Sequence, residues 1–489
     1  MITEIVLVVK FLSINIMDNI KLKNFRNIEN SGTIKLKPLT IFVGKNGMGK
    51  SSLMRIFPLI KQSVAVSKKG PLLWYSEKGV DFGNFKTAVM RGKNNIQIGF
   101  SVFYKNGKVN GFEVEIEFVI VPFKDTQRKD EISYDYVESL TMKFLDTTVF
   151  VKFDKFDEND NVGKGLVKIN DTLFDNVDFG YLMSGVFPVM KPEKEEAIVG
   201  FKELVELLSD NGKYLYREPS DFIGMSFEAF RNKLSDKDYG YNAKTVFDNI
   251  VFSYLSDFMF NLTMLIHFES DTVTYIGPFR EAPQRDYRFQ NLSTHQIDMR
   301  GSNMAVFANA LPQKVLKQFN KMTQEHFGFE LEAENHSGYI SINIKQDGMC
   351  TNIVDTGFGY SQMMPVLLAL HSFTHTRARM TYPFEMEGQT FCIEQPELHL
   401  HPSMQYNLGK TFVDSVIYTK MKKMDKKILV ETHSRSFIDA VGDSVANGKI
   451  DSKDVAVYIF EKKNGNVSIE LSEFDDDGYL TNWPLGFLD

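Results

Sequence analysis

The first residues able to do chemistry form the loop Gly44-Lys45-Asn46-Gly47-Met48-Gly49-Lys50-Ser51, followed by Ser52. Its spacing is G-x-x-x-x-G-K-[ST], set between an apolar run ending at Val43 and a segment of helical spacing. Glycines let backbone N–H groups turn inward around phosphates, and a following helix adds partial positive charge. In such a loop Lys50 reaches the β- and γ-phosphates of ATP, and the Ser51 hydroxyl ligates Mg²⁺. The plainer alternative is a chance glycine turn, which the strand-loop-helix setting argues against.

A second motif runs Phe391-Cys392-Ile393-Glu394-Gln395-Pro396-Glu397-Leu398-His399-Leu400-His401-Pro402. Its apolar start delivers Glu394 to the tip of a buried strand, where an α/β sheet holds metal and attacking water. Glu394 is therefore placed for Mg²⁺, directly or through water. The competing reading is a polar strand end with Glu397 opening a helix. His399 and His401 share a metal-pair spacing but lack further ligands, so a structural role is expected. A third motif, Ile428-Leu429-Val430-Glu431-Thr432-His433-Ser434, ends another apolar run in polar residues. His433 there can reach a γ-phosphate, or be a hydrogen-bonded histidine at a strand end. The fourth, Asp355-Thr356-Gly357-Phe358-Gly359-Tyr360-Ser361-Gln362, precedes an apolar helix. It forms either a second anion surface, serving a neighbouring subunit's nucleotide, or a helix cap made by Ser361.

The elements that must position these residues follow from periodicity. Ile20 to Phe25 alternates and Leu39 to Val43 is apolar, giving two strands; Ser51 to Lys61 has helical spacing. Residues from about 96 to 155 read as antiparallel strands, with a turn at Asn106-Gly107. Glu193 to Leu208 and Phe227 to Phe268 read as helices without a lasting heptad, so no long coiled coil is expected. Phe391 to Ile393 and Ile428 to Val430 suit buried parallel strands. The expected organisation is an N-terminal ATPase lobe with a β-rich segment at 17–190, a helical insertion at 191–270, and a C-terminal ATPase lobe at 271–489. Met1 and Met17 both stay open as the start. Lys420 to Lys427 holds five lysines, read as a solvated helix end rather than a nucleic-acid contact.

Bulk properties narrow the function class. The 489 residues are 43% hydrophobic and 24% charged with a net charge of −7, an ordinary globular mixture rather than a uniformly basic one. A local basic groove for DNA stays compatible with that balance. The two cysteines, Cys350 and Cys392, cannot build a disulfide framework, which points to a reducing cytoplasm. No apolar run approaches the roughly 20 residues that span a bilayer, so no membrane partner is expected.

In this order the four motifs resemble ABC-type ATPase heads, above all stand-alone ATPases related to the OLD, RecF and SMC-like proteins. Leu22-Lys23-Asn24-Phe25-Arg26, Tyr275-Ile276-Gly277-Pro278-Phe279-Arg280-Glu281 and Asn482-Trp483-Pro484-Leu485-Gly486-Phe487-Leu488-Asp489 add to the likeness. The resemblance implies an α/β ABC-type head with a mixed sheet, a β-rich lobe and an inserted helical subdomain. It implies ATP and Mg²⁺ as cofactors and a head-to-tail homodimer or higher homo-oligomer. Lys50 and Ser51 of one copy would then face Ser361 of another, with Gly44 to Ser52, Gly359, Ser361 and Gln362 as the nucleotide-binding residues. It also implies phage defence of the Septu or PARIS kind, beside a separate effector, a nuclease. The alternative is a RecF- or SMC-like DNA-repair or chromosome-maintenance ATPase that contacts DNA.

One departure qualifies the likeness. ABC heads carry a catalytic Glu where this chain has Gln395, and an amide cannot serve as general base. Either the pair Glu394-Gln395 is natural, with slow hydrolysis or help from Glu397, or a Glu-to-Gln change traps ATP. A Q-loop glutamine is not identifiable, since Gln97 comes too early. No TOPRIM nuclease domain of the OLD kind is expected in the short segment after His433, and Gly-Phe-Gly-Tyr-Ser-Gln is a poor match to a transporter signature.

Overall fold

The computed structural model describes residues 13–68, 70–104, 112–123, 134–154, 162–180, 185–190, 243–289, 296–376, 385–386, 388–463 and 465–483. Most of the expected helical insertion, 191–242, and the Asn106-Gly107 turn lie outside the described residues. In chain order the first elements are β1 (Ser13–Phe25), β2 (Ile28–Asn30), β3 (Ile34–Lys35) and β4 (Leu39–Gly44). Helices α1 (Lys50–Met54), α2 (Ile56–Val64) and α3 (Phe85–Ala88) follow. Then come β5 (Ile96–Tyr104), β6 (Phe112–Phe123), β7 (Tyr134–Phe144), β8 (Thr147–Phe153), β9 (Val162–Ile169), β10 (Thr172–Gly180) and β11 (Val189–Met190). The middle of the chain holds α4 (Ala243–Thr272), β12 (Thr274–Ile276), β13 (Tyr287–Arg288), α5 (Met304–Asn309) and α6 (Gln313–Phe327). Next are β14 (Glu330–His336), β15 (Tyr339–Gln346), β16 (Met349–Asn352), α7 (Phe358–His375) and β17 (Glu385–Met386). The last are β18 (Gln389–Glu394), α8 (Pro402–Met421), β19 (Lys426–Glu431), α9 (Arg435–Ala446), β20 (Val455–Lys463) and β21 (Asn466–Ser472).

The chain divides into two compact units, and it passes between them several times. The first comprises Met1–Ile34, Leu59–Asp271 and Arg379–Glu387. Its sheet runs β11-β10-β9-β8-β7-β6-β5-β1-β17 and is antiparallel from β11 to β1. Alternation sets the faces: along β8 every second residue from Thr147 to Phe153 is buried. Helix α4 presents Phe247, Val251, Leu255, Phe258, Leu262 and Leu265 at helical period, all buried. Phe258 meets Phe144 at 5.4 Å between ring centroids, and Asp248 accepts from Asn170 (2.9 Å) and Thr172 (2.7 Å). The antiparallel lobe expected from about 96 to 155 is thus present and continues through β9, β10 and β11.

The second unit comprises Lys35–Pro58, Thr272–Ala378 and Gly388–Asp489. Its main sheet runs β12-β18-β19-β4-β20-β21, parallel through β20 with β21 antiparallel at the edge. Strands β4 and β19 are buried along their whole length, and the apolar residues at their centres suit strands covered on both faces. Their side chains share one core with residues of α7, α8 and α9, among them Leu367, Phe412 and Phe437. A smaller antiparallel sheet joins β13, β15, β14 and β16. This is an α/β architecture: a glycine loop springs from the tip of one central parallel strand, with neighbouring strand tips beside it. Among the described residues no helix is long and apolar enough to cross a membrane.

Two local readings need correction. The helix expected from Ser51 to Lys61 is broken at Arg55. Pro58 has no N–H to offer Met54, and its ring crowds that carbonyl, so the ladder stops there. The lysines of 420–427 are not all solvated. Lys426 and Lys427 are buried at the start of β19, and Lys426 donates to the carbonyls of Phe373 and Thr376. Burial pulls the Lys426 ammonium down to about 7.

Candidate phosphate and metal site

The glycine loop leaves β4 at Gly44. A Cβ there would lie 2.5 Å from the Phe460 carbonyl oxygen on β20, so only glycine fits. Gly49 takes φ 92°, ψ 6° just before α1, a conformation that suits glycine alone without strain. Helix α1 is five residues long, so the loop's own amides, more than a long helix dipole, make the anion cradle. Lys50 is buried. Its Nζ donates to the carbonyls of Gly44 (2.8 Å) and Lys45 (3.0 Å) and lies 3.8 Å from Glu431 Oε1. Burial lowers the Lys50 pKa, while Glu431, Glu397 and Glu394 oppose that shift.

Two carboxylates stand side by side at the tips of β18 and β19, because Glu394 and Glu431 are register partners. Glu394 sits where the sequence places it, but both its oxygens are committed. Arg55 Nε and Nη2 donate to Oε1 and Oε2, each at 2.6 Å, and the Tyr275 hydroxyl donates to Oε1 at 2.6 Å. Glu394, expected to meet Mg²⁺ directly or through water, thus has Arg55 and Tyr275 as its partners in this structure. The Ser51 side chain acts to lower the Glu431 pKa, and Glu431 Oε2 is buried with no hydrogen-bond partner. Burial, and then the charge of Glu394, push the Glu431 carboxyl up to about 7.

The loop after β18 is pinned to the same place. Gln395 has φ 46°, and its N–H donates to the Glu431 carbonyl at 2.7 Å. Arg280 Nη2 donates to the carbonyls of Glu394 (2.8 Å) and Gln395 (3.0 Å). Burial brings Arg280 down to about 10, so it stays charged near neutral pH. Glu397 does not open α8. It is buried, accepts from the His433 N–H at 2.7 Å, and keeps Oε2 unpartnered. Burial, and then the charge of Lys50, lower His433 to about 4, so its ring is neutral near pH 7. The His433 Nε2 atom is buried without a partner.

His401 is the N-cap of α8, its ring accepting from the Ser403 N–H, and His399 packs edge-on against Phe358 at 4.8 Å. The fourth motif opens α7, with Gly357 rather than Ser361 as N-cap. Ser361 is 2% exposed and its hydroxyl donates to the Phe358 carbonyl; Gln362 is also buried, with Nε2 unpartnered. Gly359 presses its backbone against the His399 carbonyl. The exposed face of this turn belongs to Asp355, Gly357 and Phe358. Gln97 lies on β5, in the other unit.

A magnesium ion fits this donor set in its usual mode, with few protein oxygens and the phosphates of its nucleotide. Among the described residues no three His, Cys, Asp or Glu side chains converge to hold a metal unaided. The Ser51 hydroxyl and the unpartnered Glu431 oxygen are the fitting groups. Sequence reasoning assigned no role to Arg55, Tyr275, Arg280 or Glu431. The available signals were a charged residue on an apolar helix and a second carboxylate at an apolar strand's end.

Residues 16–438 match the family described as AAA ATPase domain. The chain belongs to that family. Residues 450–489 of this AAA ATPase also match a family described as Protein of unknown function (DUF3696). No curated protein sequence matches the chain. Similar solved structures include an SMC head bound to the C-winged helix domain of ScpA, at 11% identity and TM-score 0.37, covering 94% of this chain and 97% of that one. The SMC head domain from Thermotoga maritima is 10% identical with TM-score 0.35, covering 93% and 98%. An SMC head with an extended coiled coil, bound to the C-terminal domain of ScpA from Pyrococcus furiosus, is 10% identical with TM-score 0.35, covering 94% and 96%.

Proposed function

We propose that this AAA ATPase binds ATP with Mg²⁺ at the loop Gly44–Ser52 and hydrolyses it slowly, between two head-to-tail copies. The observation that carries the reading is the buried Lys50 ammonium, held on loop carbonyls beside Glu431 at the tips of parallel strands. Lys50 exchanges those carbonyls for β- and γ-phosphate oxygens, and the loop amides hold the rest of the phosphate chain. Mg²⁺, when bound beside Ser51, offsets phosphate charge. Arg280 and Arg55 keep the strand tips in place. The neutral His433 ring offers its free Nε2 to the γ-phosphate or the attacking water. Gln395 orients that water without taking its proton, and the buried Glu397 supports His433 from behind. Slow turnover follows, since a positioned general base contributes about 10²–10⁴-fold.

The cellular role proposed is a nucleotide-dependent regulator of a separate effector, a nuclease, in phage defence. The resemblance of the motif order to defence ATPases supports it, while the family match bears on the ATPase part alone. ATP between two heads would favour a closed state, and a phage-derived ligand can shift that balance only by its differential affinity for the two states. DNA maintenance by the ATPase itself is the reading it competes with. A plaque assay separates them: the chain is expressed with and without its gene neighbours, with native Lys50 or Lys50→Ala. Protection that needs both Lys50 and a neighbouring effector gene is expected. Unchanged plating, with damage sensitivity on deletion, would establish the maintenance role instead.

A further inference from the structure

We propose that Glu431, rather than Glu394, is the protein carboxylate that meets the divalent cation beside Ser51, and that Arg55 and Tyr275 hold Glu394 out of that role. The inference rests on the ATP–Mg²⁺ reading above and assigns a ligand within it. Glu431 ends β19, the strand between the glycine-loop strand β4 and Glu394's strand β18, with Phe42 and Glu394 as its register neighbours. Its Oε1 lies 3.8 Å from Lys50 Nζ, the lysine that precedes Ser51 at the start of α1. That places it against the residues that handle phosphate and metal.

The two carboxylates differ in what they have left to give. Glu394 accepts a two-pronged pair from Arg55 and a third bond from Tyr275. A forked guanidinium–carboxylate pair is among the strongest side-chain contacts, and breaking it indoors leaves two bare charges. Glu431 has a buried oxygen with no partner, although buried polar atoms are nearly always satisfied. Such an atom beside a phosphate loop is accounted for by a ligand. Charge leads to the same assignment. Arg55 neutralises Glu394, whereas Lys50 is the near cation for Glu431. Once Lys50 turns to phosphate, Glu431 loses that partner, and a divalent cation beside Ser51 restores it.

The test measures metal binding directly. Affinity for a fluorescent ATP analogue is compared in Mg²⁺ and in EDTA, and Mn²⁺ in the nucleotide complex is followed by electron paramagnetic resonance. Glu431→Gln should keep the EDTA affinity and lose at least about tenfold of the gain from metal, with a weakened Mn²⁺ signal. Glu394→Gln should keep the Mn²⁺ signal. If Glu431→Gln fails to fold, Glu431→Cys serves: Cd²⁺ should restore the metal gain and Mg²⁺ should not, because thiolate prefers the softer ion. A wild-type metal gain that survives in Glu431→Gln, or a Glu431→Cys protein that responds to Mg²⁺ like wild type, would overturn the assignment. Wild-type protein that shows no metal gain would instead overturn the ATP–Mg²⁺ reading beneath it.

Discussion

Arg55 holds Glu394 with a two-pronged pair, Nε to Oε1 and Nη2 to Oε2, both at 2.6 Å. The arginine sits at the break between α1 and α2, and the glutamate ends β18. Pro58 creates that break, so a proline three residues downstream fixes where the arginine leaves the helix. The pair joins the helix after the glycine loop to the tip of β18.

Removing one side of this pair should be costly. Arg55→Met leaves a 2% exposed carboxylate without its cation, and a broken buried pair typically costs about 3–5 kcal/mol. The double variant Arg55→Met/Glu394→Met should recover most of that loss. Chemical denaturation of the single and double variants measures it. Equal loss in both would show that packing, not the pairing of charge, dominates.

Lys50→Ala should abolish tight ATP binding. The lysine would supply at least two charge-assisted bonds of about 1.5–3 kcal/mol each, so a loss on the order of 100-fold or more is expected. Calorimetric titration with ATP and Mg²⁺ checks it. Unaltered affinity would show that the loop amides suffice.

Assembly is better probed at Phe358 than at Ser361. Ser361→Arg forces a charge into a buried position and should cost more than about 2 kcal/mol before any association occurs. Phe358 is 53% exposed, so Phe358→Asp should change monomer stability by under about 1 kcal/mol. It should leave ATP binding intact and block ATP-dependent association, read by sedimentation velocity. Normal association of that variant would remove this turn from the interface.

Asp135 predicts a pH dependence in the β-rich unit. Burial raises its carboxyl from 3.8 to about 6, although Trp74 Nε1 donates to it at 3.0 Å. A raised folded pKa means the contribution is complete below about pH 4 and is lost as pH rises through 6. The loss levels off near ~3 kcal/mol. Asp135→Asn keeps an acceptor for Trp74 and should be more stable than wild type at pH 7, with the difference vanishing by pH 4. Parallel denaturation curves at pH 4, 5, 6 and 7 give the comparison.

The sequence by itself determined the parts whose cause is local. Glycine spacing from Gly44 to Gly49 defines the phosphate loop, and apolar runs at 391–393 and 428–430 define strands buried on both faces. Alternation from β5 to β8 defines the antiparallel lobe. These patterns have periods of two to four residues and do not depend on what packs nearby. The tertiary structure alone decided which charges meet. Strand order β12-β18-β19-β4-β20 is not chain order, so Tyr275, Glu394, Glu431 and Arg55 gather from separate segments at one edge. It also decided that Lys426 is buried, since two carbonyls at the end of α7 wait for its ammonium, and that Ser361 faces inward. The roles of Glu394 and Glu431 differ for the same reason. Both are glutamates ending apolar strands, and only the neighbour across space, Arg55 for one and Lys50 for the other, separates them.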